Sequence, residues 1–236
     1  MRILDTISER GVTEQRFDLD VDHSDHHVPG ILWTPAEGQA KGVVLIGHGY
    51  GLEKRTPYIL SLARRLVRHH GIAAASIDGP EHGDRVRADG MWWSEPVIDA
   101  TVSDWRCVLR AIQADERVGS SVPVGYWGFS MGTIFGLPFV RAMQDELSAA
   151  VLGLMGLTGP TKDRHEADAK ALRPDLPVLF VLQRDDELFA FDAGLALFDA
   201  LGTADKRLHL NLGTHSAVPV DEFELTQAFL AKHLLA

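Results

Sequence analysis

The pentapeptide Gly128-Phe129-Ser130-Met131-Gly132 constrains this chain more than any other stretch. It follows the apolar run 122–127 and precedes 133–143, which can be helical, so it falls where a strand turns straight into a helix. Such a turn lifts a serine hydroxyl off the end of a sheet. It leaves no room for side chains on either flank, and glycine tolerates the strained backbone that results. GxSxG alone arises by chance in many sequences, and it is the strand before and the helix after that single out Ser130.

Further apolar runs at 43–46, 72–77, 149–155 and 177–182 have the continuous character of strands buried on both faces of a parallel sheet. Between the first two, Thr56-Pro57 offers a helix start, Ile59, Leu62, Leu66 and Val67 share a helical face, and Gly71 ends it. Strand, helix and strand make a right-handed crossover unit. A helix is expected from Pro96, with Ile98, Val102, Trp105, Leu109 and Ile112 on one face. Further helices are expected at 194–201 and 221–235, with a last strand at 206–212 between them. Residues 15–21 and 28–34 read as an antiparallel hairpin at a sheet edge. Pro138 falls inside the helix after Ser130, where it removes one backbone hydrogen bond and should kink or loosen the helix. The segment 156–176 is short and charged, too little for a separate cap domain. The expected fold is α/β: a mostly parallel sheet with helices on both faces and its active groups at the carboxyl ends of strands.

No linker, repeat or charge block divides the 236 residues, so one domain is expected over 1–236. The net charge is −10 with both signs interspersed, and no basic stripe is present for nucleic acid or an anionic membrane. Cys107 is the single cysteine, which excludes an intramolecular disulfide and a thiolate metal cluster. The first residues lack the apolar core of a signal peptide and no window approaches a membrane span, so a cytoplasmic protein is expected. Histidines and an aspartate crowd together at 23–27 in a polar turn, without the spacing that a helix would impose on metal ligands, and no metal or cofactor is expected from them.

A serine hydroxyl is a poor nucleophile at neutral pH; it needs a base, and the base needs an orienting carboxylate. Beyond the strand at 177–182 comes Gln183-Arg184-Asp185-Asp186-Glu187-Leu188, and beyond the strand at 206–212 comes Gly213-Thr214-His215-Ser216. Serine, acid and histidine thus follow in that order, each past a separate strand. His82 precedes the serine, contrary to that order, and a hydrogen-bonding role in the structure is expected for it; the same holds for His209, on a strand, and for His48, as a brace of its loop. Trp92-Trp93 in the polar loop 79–95 either join the core or wall an apolar pocket.

With HGYG at 48–51, DGPEHGDR at 78–85, GFSMG at 128–132, RDDEL at 184–188 and THS at 214–216, the chain resembles the α/β-hydrolases, and among them the compact dienelactone-hydrolase-like esterases. The resemblance runs from His48 to the last helix. It implies a catalytic triad of Ser130, Asp186 and His215, with Asp185 as the alternative acid because Gln183 stands where that family usually has glycine. It also implies that the backbone N–H groups of Tyr50 and Met131 receive an oxyanion. Dienelactone hydrolases themselves resemble this chain but carry a cysteine at the position of Ser130.

The expectation is a serine hydrolase that cleaves small carboxylic esters without a cofactor. A thioesterase, a small-peptide hydrolase and a non-catalytic ligand-binding protein on the same fold are the alternatives. A dehalogenase would need a carboxylate at position 130. Whether the chain forms a homodimer is left open by the sequence.

Overall fold

The apolar runs assemble into one nine-stranded sheet. In the computed structural model, which describes residues 1–21, 27–85 and 93–236, the strands are β1 (Arg2–Glu9), β2 (Val12–Asp20), β3 (His27–Pro35), β4 (Val43–Gly47), β5 (Ala73–Ile77), β6 (Val124–Gly128), β7 (Leu147–Gly153), β8 (Val178–Gln183) and β9 (Lys206–Asn211). Their order across the sheet is β1-β2-β3-β5-β4-β6-β7-β8-β9. The first three are antiparallel, β3 meets β5 antiparallel, and every pair from β5 to β9 is parallel.

Among the described residues six α-helices cover the sheet: α1 (Pro57–Arg65), α2 (Glu95–Gln113), α3 (Met131–Met143), α4 (Lys162–Lys170), α5 (Phe191–Ala200) and α6 (Val220–Leu234). Alternation along each strand feeds two cores. Val43 and Leu45 join the core beneath α2, α3 and α5, whereas Val44 and Ile46 join the one beneath α1 and α6. Full burial of one such aliphatic or aromatic side chain contributes about 1.5–3 kcal/mol. α1 continues through a π-helical turn, Leu66–His70, and stops where Gly71 takes a φ of 67°.

The hairpin expected at the sheet edge is present as β2 and β3, but β1 extends the sheet beyond it. Every residue of β1 is exposed, so it carries no alternation of buried and polar residues to announce it. A second element absent from the sequence reading is α4. It lies within 156–176 and buries only His165 and Ala169, too few to mark an apolar stripe.

His165 also settles what Pro138 costs. The residue four before the proline is Ile134, whose carbonyl loses its helical donor. His165 is fully buried, and its Nε2 donates to the Ile134 carbonyl oxygen at 2.8 Å. Nδ1 lies 2.8 Å from the Thr161 carbonyl, which also accepts the His165 backbone N–H at 3.0 Å, so both ring nitrogens face carbonyl oxygens. α3 runs unbroken through Pro138, its missing bond supplied by α4.

Candidate active site

β6 passes into α3 through Phe129 and Ser130, and Ser130 is held at φ 56°, ψ −121°. That left-handed backbone is costly for a residue with a side chain and persists where the surroundings fix it. The surroundings are tight. A Cβ on Gly128 would stand 2.5 Å from the carbonyl oxygen of Gly132, and one on Gly132 would stand 2.6 Å from that of Gly47. The Ser130 N–H donates to the Gly153 carbonyl at 3.0 Å, tying the turn to the end of β7. Thr133, fully buried, accepts the Gly153 N–H on its hydroxyl at 2.8 Å, with that hydroxyl 2.8 Å from the Gly128 carbonyl.

The segments after β8 and β9 bring the two partners that a serine needs. His215 Nε2 lies 2.9 Å from Ser130 Oγ, and His215 Nδ1 lies 2.7 Å from Asp186 Oδ2. Asp186 also accepts the N–H groups of Leu188 and Phe189, each at 2.9 Å on Oδ1. Burial alone would raise the Asp186 carboxyl pKa, but the hydrogen bonds from His215, Phe189 and Leu188 outweigh it and hold the group below the usual carboxylate range. Asp185 is exposed and its backbone N–H bonds the Gly213 carbonyl at 3.0 Å. An imidazole bridged between a hydroxyl and a carboxylate in this way can take the hydroxyl proton and remain stabilised as a cation.

Two further groups fix the histidine loop. Glu187 accepts the His215 N–H at 2.8 Å. Gln183 donates from Nε2 to the Thr214 carbonyl at 3.1 Å. Neither contact could be read from the sequence, since each joins residues about thirty positions apart across two strands.

Beyond β4, His48 is buried and holds its loop to the next one. Gly79 N–H donates to His48 Nε2 at 2.8 Å, which places the proton on Nδ1, and Nδ1 donates to the Gly49 carbonyl at 2.8 Å. Burial pushes the His48 ring down to about 4. The Gly49 N–H meets the hydroxyl of Tyr58 at 3.0 Å, and burial pushes that phenol up to about 12. Tyr50 follows on the surface, 61% exposed, with its ring edge-on to His82 at 5.1 Å. His82 Nδ1 donates to the Pro80 carbonyl at 2.6 Å. Asp78, fully buried, accepts the Lys54 N–H at 2.9 Å, the Lys54 ammonium at 2.5 Å and the Asp84 N–H at 2.9 Å. Met131 opens α3, so its N–H is among those of the first helical turn that lack an intrahelical acceptor.

Of the two tryptophans, Trp92 lies outside the described residues. Trp93 hydrogen-bonds through Nε1 to Thr161 Oγ1, and its ring lies 6.3 Å from that of Phe189. Phe189 in turn packs 5.7 Å from the His215 ring. An apolar wall thus reaches the histidine, and Phe189 is a member of it that the sequence did not single out. The cluster at 23–27 also falls outside the described residues except for His27, which pairs with Asp20 on the surface. Among the described residues no group of three His, Cys, Asp or Glu side chains is placed to hold a metal ion, and no helix is long and apolar enough to cross a membrane.

A serine on a strained strand-to-helix turn at the carboxyl edge of a parallel sheet, with acid and histidine following in chain order on later strand ends, defines the α/β-hydrolase fold. Known structures agree. The chain is 39% identical to a cold-adapted esterase from an Arctic intertidal metagenomic library in its polyethylene-glycol-bound form, with a TM-score of 0.86 and 97% of each chain covered. To the native structure of such an esterase it is 37% identical, with a TM-score of 0.84 over 99% of this chain and 100% of that one. An S-formylglutathione hydrolase from Agrobacterium tumefaciens, 14% identical, shares the fold with a TM-score of 0.69 over 100% of this chain and 98% of its own. No family model matches the sequence, and no curated protein matches it. The chain belongs to the family of α/β-hydrolases that contains the Arctic esterase.

Proposed function

We propose that the protein is a serine hydrolase of small carboxylic esters, with Ser130 as nucleophile, His215 as general base and acid, and Asp186 as the carboxylate that orients the histidine. The observation that carries this reading is the continuous hydrogen-bonded chain from Ser130 Oγ through the His215 ring to Asp186, 2.9 and 2.7 Å. Membership in a family with an esterase supports it. In this mechanism Ser130 Oγ attacks the ester carbonyl while His215 Nε2 takes its proton. The tetrahedral oxyanion is received by the N–H groups of Tyr50 and Met131, a kind of contact worth about 3–4 kcal/mol to the barrier for one donor. His215 then returns the proton to the leaving alcohol, and water, deprotonated by the same ring, releases the acid from Ser130.

Trp93 and Phe189 form the apolar side of the substrate site in this reading, and the net charge of −10 disfavours polyanionic substrates and nucleic acid. The lone cysteine is consistent with a cytoplasmic setting. The test is hydrolysis of p-nitrophenyl esters of increasing acyl length, together with labelling by a fluorophosphonate. Wild-type protein should turn over the short esters and take the label on Ser130. A Ser130→Ala protein that hydrolyses them at the wild-type rate overturns the assignment.

A further inference from the structure

The sheet ends in two edge strands that both expose apolar side chains but differ in regularity. At one end β1 is guarded: Asp5 Oδ1 accepts the Thr6 N–H at 2.8 Å, and a bulge interrupts the register between Ile3 and Asp5. A bulge and a backbone group occupied by a local side chain are devices that keep an edge from pairing with another chain. At the other end β9 pairs with β8 alone among the described residues and lacks such a bulge in its register.

The orientation of β9 follows from its bonds to β8. The carbonyls of Asp205, Asn211 and Gly213 accept the N–H groups of Val178, Arg184 and Asp185 at 2.9, 2.8 and 3.0 Å. Odd positions therefore turn their backbone inward, and positions 206, 208, 210 and 212 turn N–H and C=O outward. The same even positions place Leu208 and Leu210 on one face, with Leu212 just past the end of the strand. Leu210 is 46% exposed and Leu212 78%.

Charge along this edge is polarised. Arg207, near the start of β9, shares a groove of about 280 Å³ with Lys232, near the end of α6, together with Leu179, Leu225 and Phe229. At the finish of the strand Glu222 holds His209 at 2.7 Å and Asn211 at 3.1 Å, which sets the first turn of α6, with exposed Asp221, beside that end, while Glu224 on the same turn pairs with Arg65 at 3.0 Å. The start of the edge is net basic, with Arg207 and Lys232 against Asp205, and Asp221 makes the finish acidic.

We propose that β9 is the interface with a second copy of this chain, the two strands pairing antiparallel about a two-fold axis at Leu210. The parity of the outward backbone groups permits this register: Leu210 faces Leu210 of the partner subunit, and Leu208 faces Leu212 of the partner subunit. Three leucines from each copy then form one covered row. The two-fold also lays the basic end of one edge against the acidic end of the other, the self-complementarity that an isologous contact requires.

Sedimentation velocity over a range of concentrations, with circular dichroism as a check on folding, tests the state. Wild-type protein should sediment as a dimer and Leu210→Lys as a folded monomer with unchanged ester hydrolysis. Cross-linking tests the register. Facing residues in a hydrogen-bonded antiparallel pair lie about 5.5 Å apart at Cα, within reach of a disulfide. In a Cys107→Ser background, Leu210→Cys should oxidise to a covalent dimer, whereas Arg207→Cys should not. Reversing Arg207 and Lys232 to glutamate should weaken the dimer, and adding Asp221→Lys should restore part of it. A wild-type monomer at every concentration, a dimeric Leu210→Lys protein, or equal cross-linking at 207 and 210 overturns the proposal.

Discussion

Gly79 donates its N–H to His48 Nε2 at 2.8 Å, and the bond exists only while the ring is neutral. His48 has its pKa depressed from 6.5 to about 4, chiefly by burial. Between those values the unfolded chain binds the proton and the folded one does not, so stability from the neutral ring is complete above pH 6.5 and is lost as pH falls through this window. The full effect is about 3 kcal/mol at most. Urea unfolding at a series of pH values should show this decline in wild-type protein, and His48→Gln should flatten it while lowering kcat through a looser Gly49–Tyr50 backbone.

Asp186 and Asp185 are neighbours in sequence with different surroundings: one holds the His215 ring at 2.7 Å and the other is exposed. Asp186→Asn should lower kcat by about 10⁴, as loss of the orienting carboxylate does in a serine triad. Asp185→Asn should leave kcat near wild type. Steady-state kinetics on one p-nitrophenyl ester separates the two. Because the Asp186 pKa lies below its ordinary 3.8, its carboxylate form contributes stability above that value and loses it as pH falls through the lowered one.

Lys54 is 4% exposed, and its ammonium bridges Asp78 and Asp84 at 2.5 and 2.8 Å. Burial alone would lower the Lys54 pKa, but the hydrogen bonds to the two carboxylates raise it, so its contribution holds below pH 10.5 and disappears as pH rises through the higher folded value. Lys54→Met should cost about 3–5 kcal/mol in urea unfolding, because Asp78 is left charged and buried. Adding Asp78→Asn should recover part of that loss.

The bond from His165 to the Ile134 carbonyl predicts a coupling between two distant positions. His165→Leu should destabilise the protein by about 1–3 kcal/mol, since a buried acceptor loses its donor. Pro138→Ala restores a helical N–H to the same carbonyl, so in the His165→Leu background it should recover stability that it does not add to the wild type. A double-mutant cycle by chemical unfolding reads this out.

What the sequence disclosed depended on whether a signal was local. GFSMG, the fully apolar strands and the order of serine, acid and histidine lie in short stretches whose meaning does not depend on distant partners. β1 was hidden because all of its side chains face solvent, and α4 because it buries only His165 and Ala169. Gln183 stood out as a departure from a glycine, and its reason came only with the fold, where its amide reaches the Thr214 carbonyl. Phe189 was indistinguishable from core until Trp93 and His215 appeared on either side of it.

The enclosure of α3 has a consequence for motion. Ten consecutive residues, Met131 to Val140, are buried, and the helix is clamped by β4, β6, β7 and α4. Burial and bonding of this kind mark segments expected to open last, and Ser130 is attached to one of them. In the proposed mechanism, substrate entry and product exit then fall to the segments around Tyr50, His82 and His215. Amide exchange should register this division, with α3 protected up to global unfolding and the segment 213–219 exchanging through local opening.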